Sequence, residues 1–174
     1  MNVVIPPKFQ IQQIALVVRQ TPEAKALLTK LGLDTWILDT VVAEGEVFGE
    51  PGQNTANLHF NYQAGSGSDD GAGKPLELEI LEYTDGPDWM SQNTSDLESV
   101  SHFGMHVSAD QLLQYRSFFA QEGIQVAQEV VTQSHTNEYI KDSRRYNYVI
   151  FDTREVLGVD LKFIVRLNVD GTPQ

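Results

Sequence analysis

The sequence states one pattern twice. An apolar, strand-like run at 11–18, with Gln13 embedded in it, opens the first half, and a similar run at 100–107, with His102 and His106 embedded in it, opens the second. Each is followed by a helix-like stretch and three further strand-like stretches, the last falling at 76–81 in one half and 159–164 in the other. Gln13 and His102 lie 89 positions apart, and Glu79 and Lys162 lie 83 apart. Two echoes at nearly one offset mark a doubled module, and a repeat limits the available folds more than composition does, because both copies must make the same elements. The boundaries predicted are a first module at 9–83, a connection at 84–99 and a second module at 100–167.

Strand alternation divides the repeated strands into two faces. One face reads Ile14, Leu16, Val18; Leu76, Leu78, Ile80; Phe103, Met105, Val107; and Val159, Leu161, Phe163. It is wholly apolar and is expected to pack under the helices. The opposite face reads Gln13, Ala15, Val17; Glu77, Glu79, Leu81; His102, Gly104, His106; and Asp160, Lys162, Ile164. Polar residues recur there at matching positions in both halves, which points to a lined concavity rather than a wetted outer surface. Further strands are expected at 34–48, 56–63, 124–133 and 145–152. Thr21 as N-cap and Pro22 at the first helical position signal a helix that runs to near Gly32. Ser108 to Gln111 form a capping-box signal for a second helix, stopped by Gly123. The glycine-, serine- and aspartate-rich stretch 64–74 reads as a hairpin loop.

At 174 residues the chain fits one domain, or two small modules sharing a core. It has no cysteine, which excludes disulfides, thiolate zinc sites and thiol nucleophiles. A net charge of −12 repels a phosphate backbone, so no nucleic acid partner is expected. No leader-like start and no apolar run near the ~18 residues of a membrane span is visible, so the expectation is a cytoplasmic protein without a membrane partner.

In this doubled layout, with opening strands around Gln13 and His102, closing strands around Glu79 and Lys162, and the late stretch from Tyr148 to Arg154 followed by Leu157 and Gly158, the chain resembles the vicinal oxygen chelate superfamily. That group includes glyoxalase I, bleomycin-resistance proteins, methylmalonyl-CoA epimerase and extradiol dioxygenases. The resemblance spans roughly residues 9 to 167. It implies an α+β fold in which two βαβββ modules form curved mixed sheets around a small-molecule cavity, and a homodimer. It also implies a metal set in which each module supplies a His or Gln from its first strand and a Glu from its last. Gln13, Glu79 and His102 match that set; Lys162 stands where the second Glu belongs, and an ammonium has no lone pair to give.

Two outcomes stay open at this position. Lys162 either pairs with Glu79 and removes the need for a metal, or swings away and leaves Gln13, Glu79 and His102 to hold a divalent ion such as Mg, Mn, Ni, Zn or Fe. As catalytic residues, Glu79 is the candidate base, Lys162 the positive centre and His102 the orienting group, in a lyase or isomerase reaction through an enolate-like intermediate, with dioxygenase chemistry less suited to a single matched His. As a binding protein, the same acidic cavity would favour a cationic ligand; a third reading is an interaction module with a filled cavity. His106 shares a face with His102 but lies roughly 13 Å further along the strand at ~3.3 Å per residue. His59 is a further candidate ligand-binding residue, as are Arg145 and Tyr148, which with Arg144 and Tyr146 precede or open the seventh strand and are placed to meet an anionic substrate. Trp36, Trp89, Phe60 and Tyr62 either line a pocket or fill the core.

Overall fold

A computed structural model of the chain describes residues 5–64, 76–90 and 99–174. Residues 65–74 of the stretch read as a hairpin loop, and 91–98 of the connection, lie outside the described residues. Eight strands alternate with three helices among the described residues: β1 (Gln13–Val17), α1 (Thr21–Lys30), β2 (Ile37–Val47), β3 (Glu50–Asn61), β4 (Glu77–Asp85), β5 (Ser99–Val107), α2 (Ala109–Gln121), β6 (Val126–Ser134), β7 (Arg145–Phe151), α3 (Arg154–Leu157) and β8 (Asp160–Leu167). The strands close into one mixed barrel in the order β1-β4-β3-β2-β6-β7-β8-β5. Only β1 with β4 and β5 with β8 pair in parallel; the other neighbours are antiparallel. The two halves join within the chain, through β1 with β5 and β2 with β6.

The register repeats as well as the element order. Ala15 lies beside Glu79 in the first parallel pair, and Gly104 beside Lys162 in the second. Across the seam between halves, Gln13 sits opposite Gly104 and Ala15 opposite His102. Each long polar side chain thus faces a small residue on the other strand. Space for it is real: a Cβ on Gly104 would stand 2.7 Å from the Gln13 Oε1.

Local chemistry explains most element ends. Val47 pairs with Glu50, leaving Phe48 and Gly49 as a two-residue turn with φ of 49° and 80°, the hairpin geometry whose twist matches the flanking strands. That tight turn starts β3 at Glu50, earlier than the expected 56. The capping box on α2 is formed: the Gln111 N–H donates to Ser108 Oγ at 3.2 Å, and the Ser108 N–H to Gln111 Oε1 at 3.0 Å. The predicted cap of α1 is corrected. The Ala24 N–H donates to the Gln20 carbonyl at 3.1 Å, which makes Gln20 the N-cap, without a side-chain cap bond, and Thr21 the first helical residue.

Two apolar clusters sit on opposite sides of the sheet. Inside the barrel, Val41, Val47, Leu58, Leu81 and Ile150 pack around Trp89, which is only 1% exposed. Trp89 comes from the connection between halves; its indole Nε1–H donates to Asp160 Oδ2 at 3.0 Å and plugs one barrel end. Outside, Leu112, Tyr115 and Phe119 of α2 pack on Met105, Phe151 and Phe163. The outer face under α1 is different, because β2 and β3 bring Thr40, Asn57 and His59 to it. Thr40 Oγ1–H donates to Asn57 Oδ1 at 2.9 Å, and Asn57 Nδ2–H to Glu82 Oε2 at 3.1 Å. Among the described residues, no helix is long and apolar enough to cross a membrane.

Candidate functional site

Gln13, Glu79, His102 and Lys162 meet in the middle of the barrel, and none is more than 3% exposed. Strand alternation puts all four inside, and the repeated register puts them at one height. The Lys162 ammonium donates to Glu79 Oε2 at 3.3 Å and lies 4.1 Å from the centroid of the Tyr148 ring. His102 Nε2 is 3.1 Å from the same Glu79 oxygen and 3.0 Å from Gln13 Oε1, while the Ser101 hydroxyl lies 2.9 Å from His102 Nδ1. Gln13 then donates from Nε2 to Glu77. One protonation pattern serves every contact: His102 neutral, Nε2–H shared between the two oxygen acceptors, and the Ser101 hydroxyl donating to Nδ1.

Electrostatics agree with that pattern. Burial and the nearby Lys162 charge push His102 down to about 4, against a smaller upward pull from Glu79. Burial alone would raise Glu79, but the Lys162 charge and the contacts to His102 outweigh it and hold the carboxyl at about 2. Glu77, by contrast, is pushed up by its burial and by the Glu79 charge. Glu79 Oε1 remains buried without a hydrogen-bond partner.

This donor set does not fit a divalent ion in the observed arrangement. The ammonium is already the cation on the Glu79 carboxylate, and the His102 nitrogen nearest Glu79 and Gln13 is occupied as a donor, with no lone pair directed to an ion. Among the described residues, no group of three His, Cys, Asp or Glu side chains is arranged to hold a metal.

Above this polar centre the barrel opens into a cavity of about 190 Å³, whose lining includes Gln13, Glu77, Phe60, Tyr62, His106, Arg144, Tyr146, Tyr148 and Ile164. Below it, only about 20 Å³ is left between Trp89, Leu81, Val130 and Ile150. Of the residues singled out from sequence, His106, Tyr148, Arg144, Tyr146, Phe60 and Tyr62 therefore reach the mouth cavity, and Gln13 forms part of its floor. No family model matches this sequence, and a search of curated proteins gives no significant match.

Two other candidates lie elsewhere. His59 faces outward under α1, with Lys25 Nζ 3.2 Å from its Nδ1, because Leu58 and Phe60 on either side of it point inward. Arg145 is likewise on the outer face, in step with Val149 and Phe151 of the α2 layer. Its neighbour Arg144 lines the cavity instead, in step with Tyr146 and Tyr148. Sequence reasoning also gave no role to Glu77 or Asp39. Glu77 was legible, two residues from Glu79 on one strand face; Asp39 needed the β2 register.

Proposed function

We propose that the protein binds a small organic molecule in the mouth cavity, and that it does so without a metal, as a variant of the glyoxalase and bleomycin-resistance type of vicinal oxygen chelate protein. The observation that carries this is the open cavity directly above a fully buried Glu79–His102–Lys162 centre. Support for the family reading comes from the repeated strand-helix-strand-strand-strand order and from the matched register of Gln13 with His102 and Glu79 with Lys162. At about 190 Å³ the cavity is smaller than the roughly 300–1,000 Å³ of drug-sized sites, which suits a small metabolite. The two halves complete the site within one chain; a homodimer would add to it rather than create it.

Binding fits better than a reaction driven by Glu79. A carboxylate held at about 2 is a weak proton acceptor near neutral pH, and Glu79 does not line the cavity. A lyase or isomerase alternative has a better base in Glu77, which does line it and is shifted upward by burial. A fragment screen followed through the methyl signals of Ile140 and Ile164 tests the proposal. Hits should perturb those methyls and be lost in a cavity-filling Ile164→Trp variant. Hits that persist in the variant, or that gather instead in the apolar groove lined by Phe118, Val156 and Leu161, would overturn it.

A further inference from the structure

The mouth cavity holds an arginine that has no counter-ion among the described residues. Arg144 lines the cavity, its guanidinium 5.7 Å from the centroid of the Tyr146 ring. No carboxylate among the described residues forms a salt bridge with it. Its Nε–H is sealed from solvent and has no acceptor. A buried donor left unmet is unfavourable, and a small shift of this side chain toward the cavity would let an acceptor from outside the chain meet it.

The two carboxyl groups that line the same cavity are occupied differently. Ser134 Oγ–H donates to Asp39 Oδ1 at 2.5 Å, and the Gln13 amide and the Tyr62 hydroxyl donate to Glu77. Both carboxyls are also pushed upward, each mainly by burial, and so hold their charge less firmly than surface acids. The acidic residues of the wall are thus committed to internal donors, and the arginine is the charged group with capacity to spare. Around it, Phe60, Tyr62, Ile140, Tyr146 and Ile164 supply flat and branched apolar contacts.

We propose that the ligand is a small organic anion, a carboxylate carried on a compact aromatic or branched apolar body, with Arg144 as its counter-ion. The planar fork of an arginine pairs with a carboxylate through two parallel hydrogen bonds, and the ring of Tyr146 keeps the fork in place. This deepens the reading of the cavity as a ligand site and rests on it; it also replaces the cationic ligand suggested by overall acidity, since net charge is a property of the whole surface and not of this wall.

Benzoate, benzamide and benzamidinium share one ring and differ in the charge of a single group, so they separate the possibilities. Titrations would follow the Ile140 and Ile164 methyls by NMR. Benzoate should bind about tenfold or more tightly than benzamide, as a charge-assisted bond predicts. Arg144→Gln should lower benzoate to the benzamide level while leaving benzamide unchanged, which also shows that the variant is folded. Arg144→Lys, keeping charge without the fork, should fall between. Tightest binding by benzamidinium, or unchanged benzoate affinity in Arg144→Gln, would overturn the inference while the cavity still stands as a ligand site. If none of the three moves the cavity methyls at saturating concentration, the ligand-site reading fails and this inference with it.

Discussion

The two halves of the barrel share their strand order but not their outer layers. In the second half, α2 has a complete capping box and seats Leu112, Tyr115 and Phe119 on an apolar sheet face. In the first half, α1 lacks a side-chain cap, buries only Thr21, and lies over a face that carries Asn57 and His59. Leu27 and Leu31 of that region are 61% and 72% exposed. The interior shows no such imbalance, since Gln13 and Glu79 come from the first half, and His102 and Lys162 from the second. A duplicated fold can therefore place stability in one copy while both copies contribute to the centre.

The largest expected effect tests that division. Phe119→Ala should cost about 3–5 kcal/mol in chemical denaturation, because the ring stacks 4.3 Å from Phe151 in a filled layer. Leu28→Ala on α1, which is only half-buried, should cost less than about 1 kcal/mol. Equal costs would mean that α1 is as firmly seated as α2.

Lys162→Met breaks the interior that the halves share. Removing one partner of a buried ion pair should cost about 3–5 kcal/mol. It should also raise the His102 pKa above about 4, since the Lys162 charge is one of the forces holding it down and Glu79 would then draw the proton. The His102 ring signals in an NMR titration report this; an unmoved value would mean that Lys162 and His102 are not coupled.

Acid sensitivity sharpens the same point. His102 sits at about 4 in the fold against an ordinary 6.5, so the unfolded chain takes up its proton first as pH falls. Its contribution is complete above 6.5 and is lost as pH drops toward 4. Glu79, at about 2 against 4.5, adds a loss between 4.5 and 2. Glu77, shifted upward, works in the opposite direction. His102→Gln should flatten the stability profile between pH 6.5 and 4 by an amount on the order of a few kcal/mol. An unchanged slope in that interval would remove His102 from the account.

The smallest effects concern the caps. Ser108→Ala should cost about 1 kcal/mol, whereas Gln20→Asp should gain about 0.5–1 kcal/mol by supplying the cap that α1 lacks. Thermal melts of both variants distinguish a helix that is already capped from one that is not.

Much of the interior was legible because it rests on a period of two. Once Gln13, Glu79, His102 and Lys162 were placed on one strand face, the register brought them to one height. The same rule applied to β7 and β3 would have chosen Arg144 over Arg145 and turned His59 outward; Arg145 was grouped with its sequence neighbours, and His59 was drawn from another strand without asking which face it occupies. Trp89 was beyond reach of periodicity, since it belongs to an irregular connection and its place is set by the barrel end that it closes. The weak seating of α1 was also hidden. The strands nearest the repeat motifs, β1 and β4, carry apolar outer faces, while the polar residues under α1 come from β2 and β3.

The account stands most directly on Lys162 serving as the cation of the buried centre. Calorimetric titration of protein freed of metal by dialysis against a chelator, with Mn, Ni and Zn salts, tests it. Wild type should show no stoichiometric binding, whereas Lys162→Glu, which restores a second carboxylate beside Gln13, Glu79 and His102, should take up one equivalent. One equivalent bound by wild type, and lost in Glu79→Gln, would contradict the account.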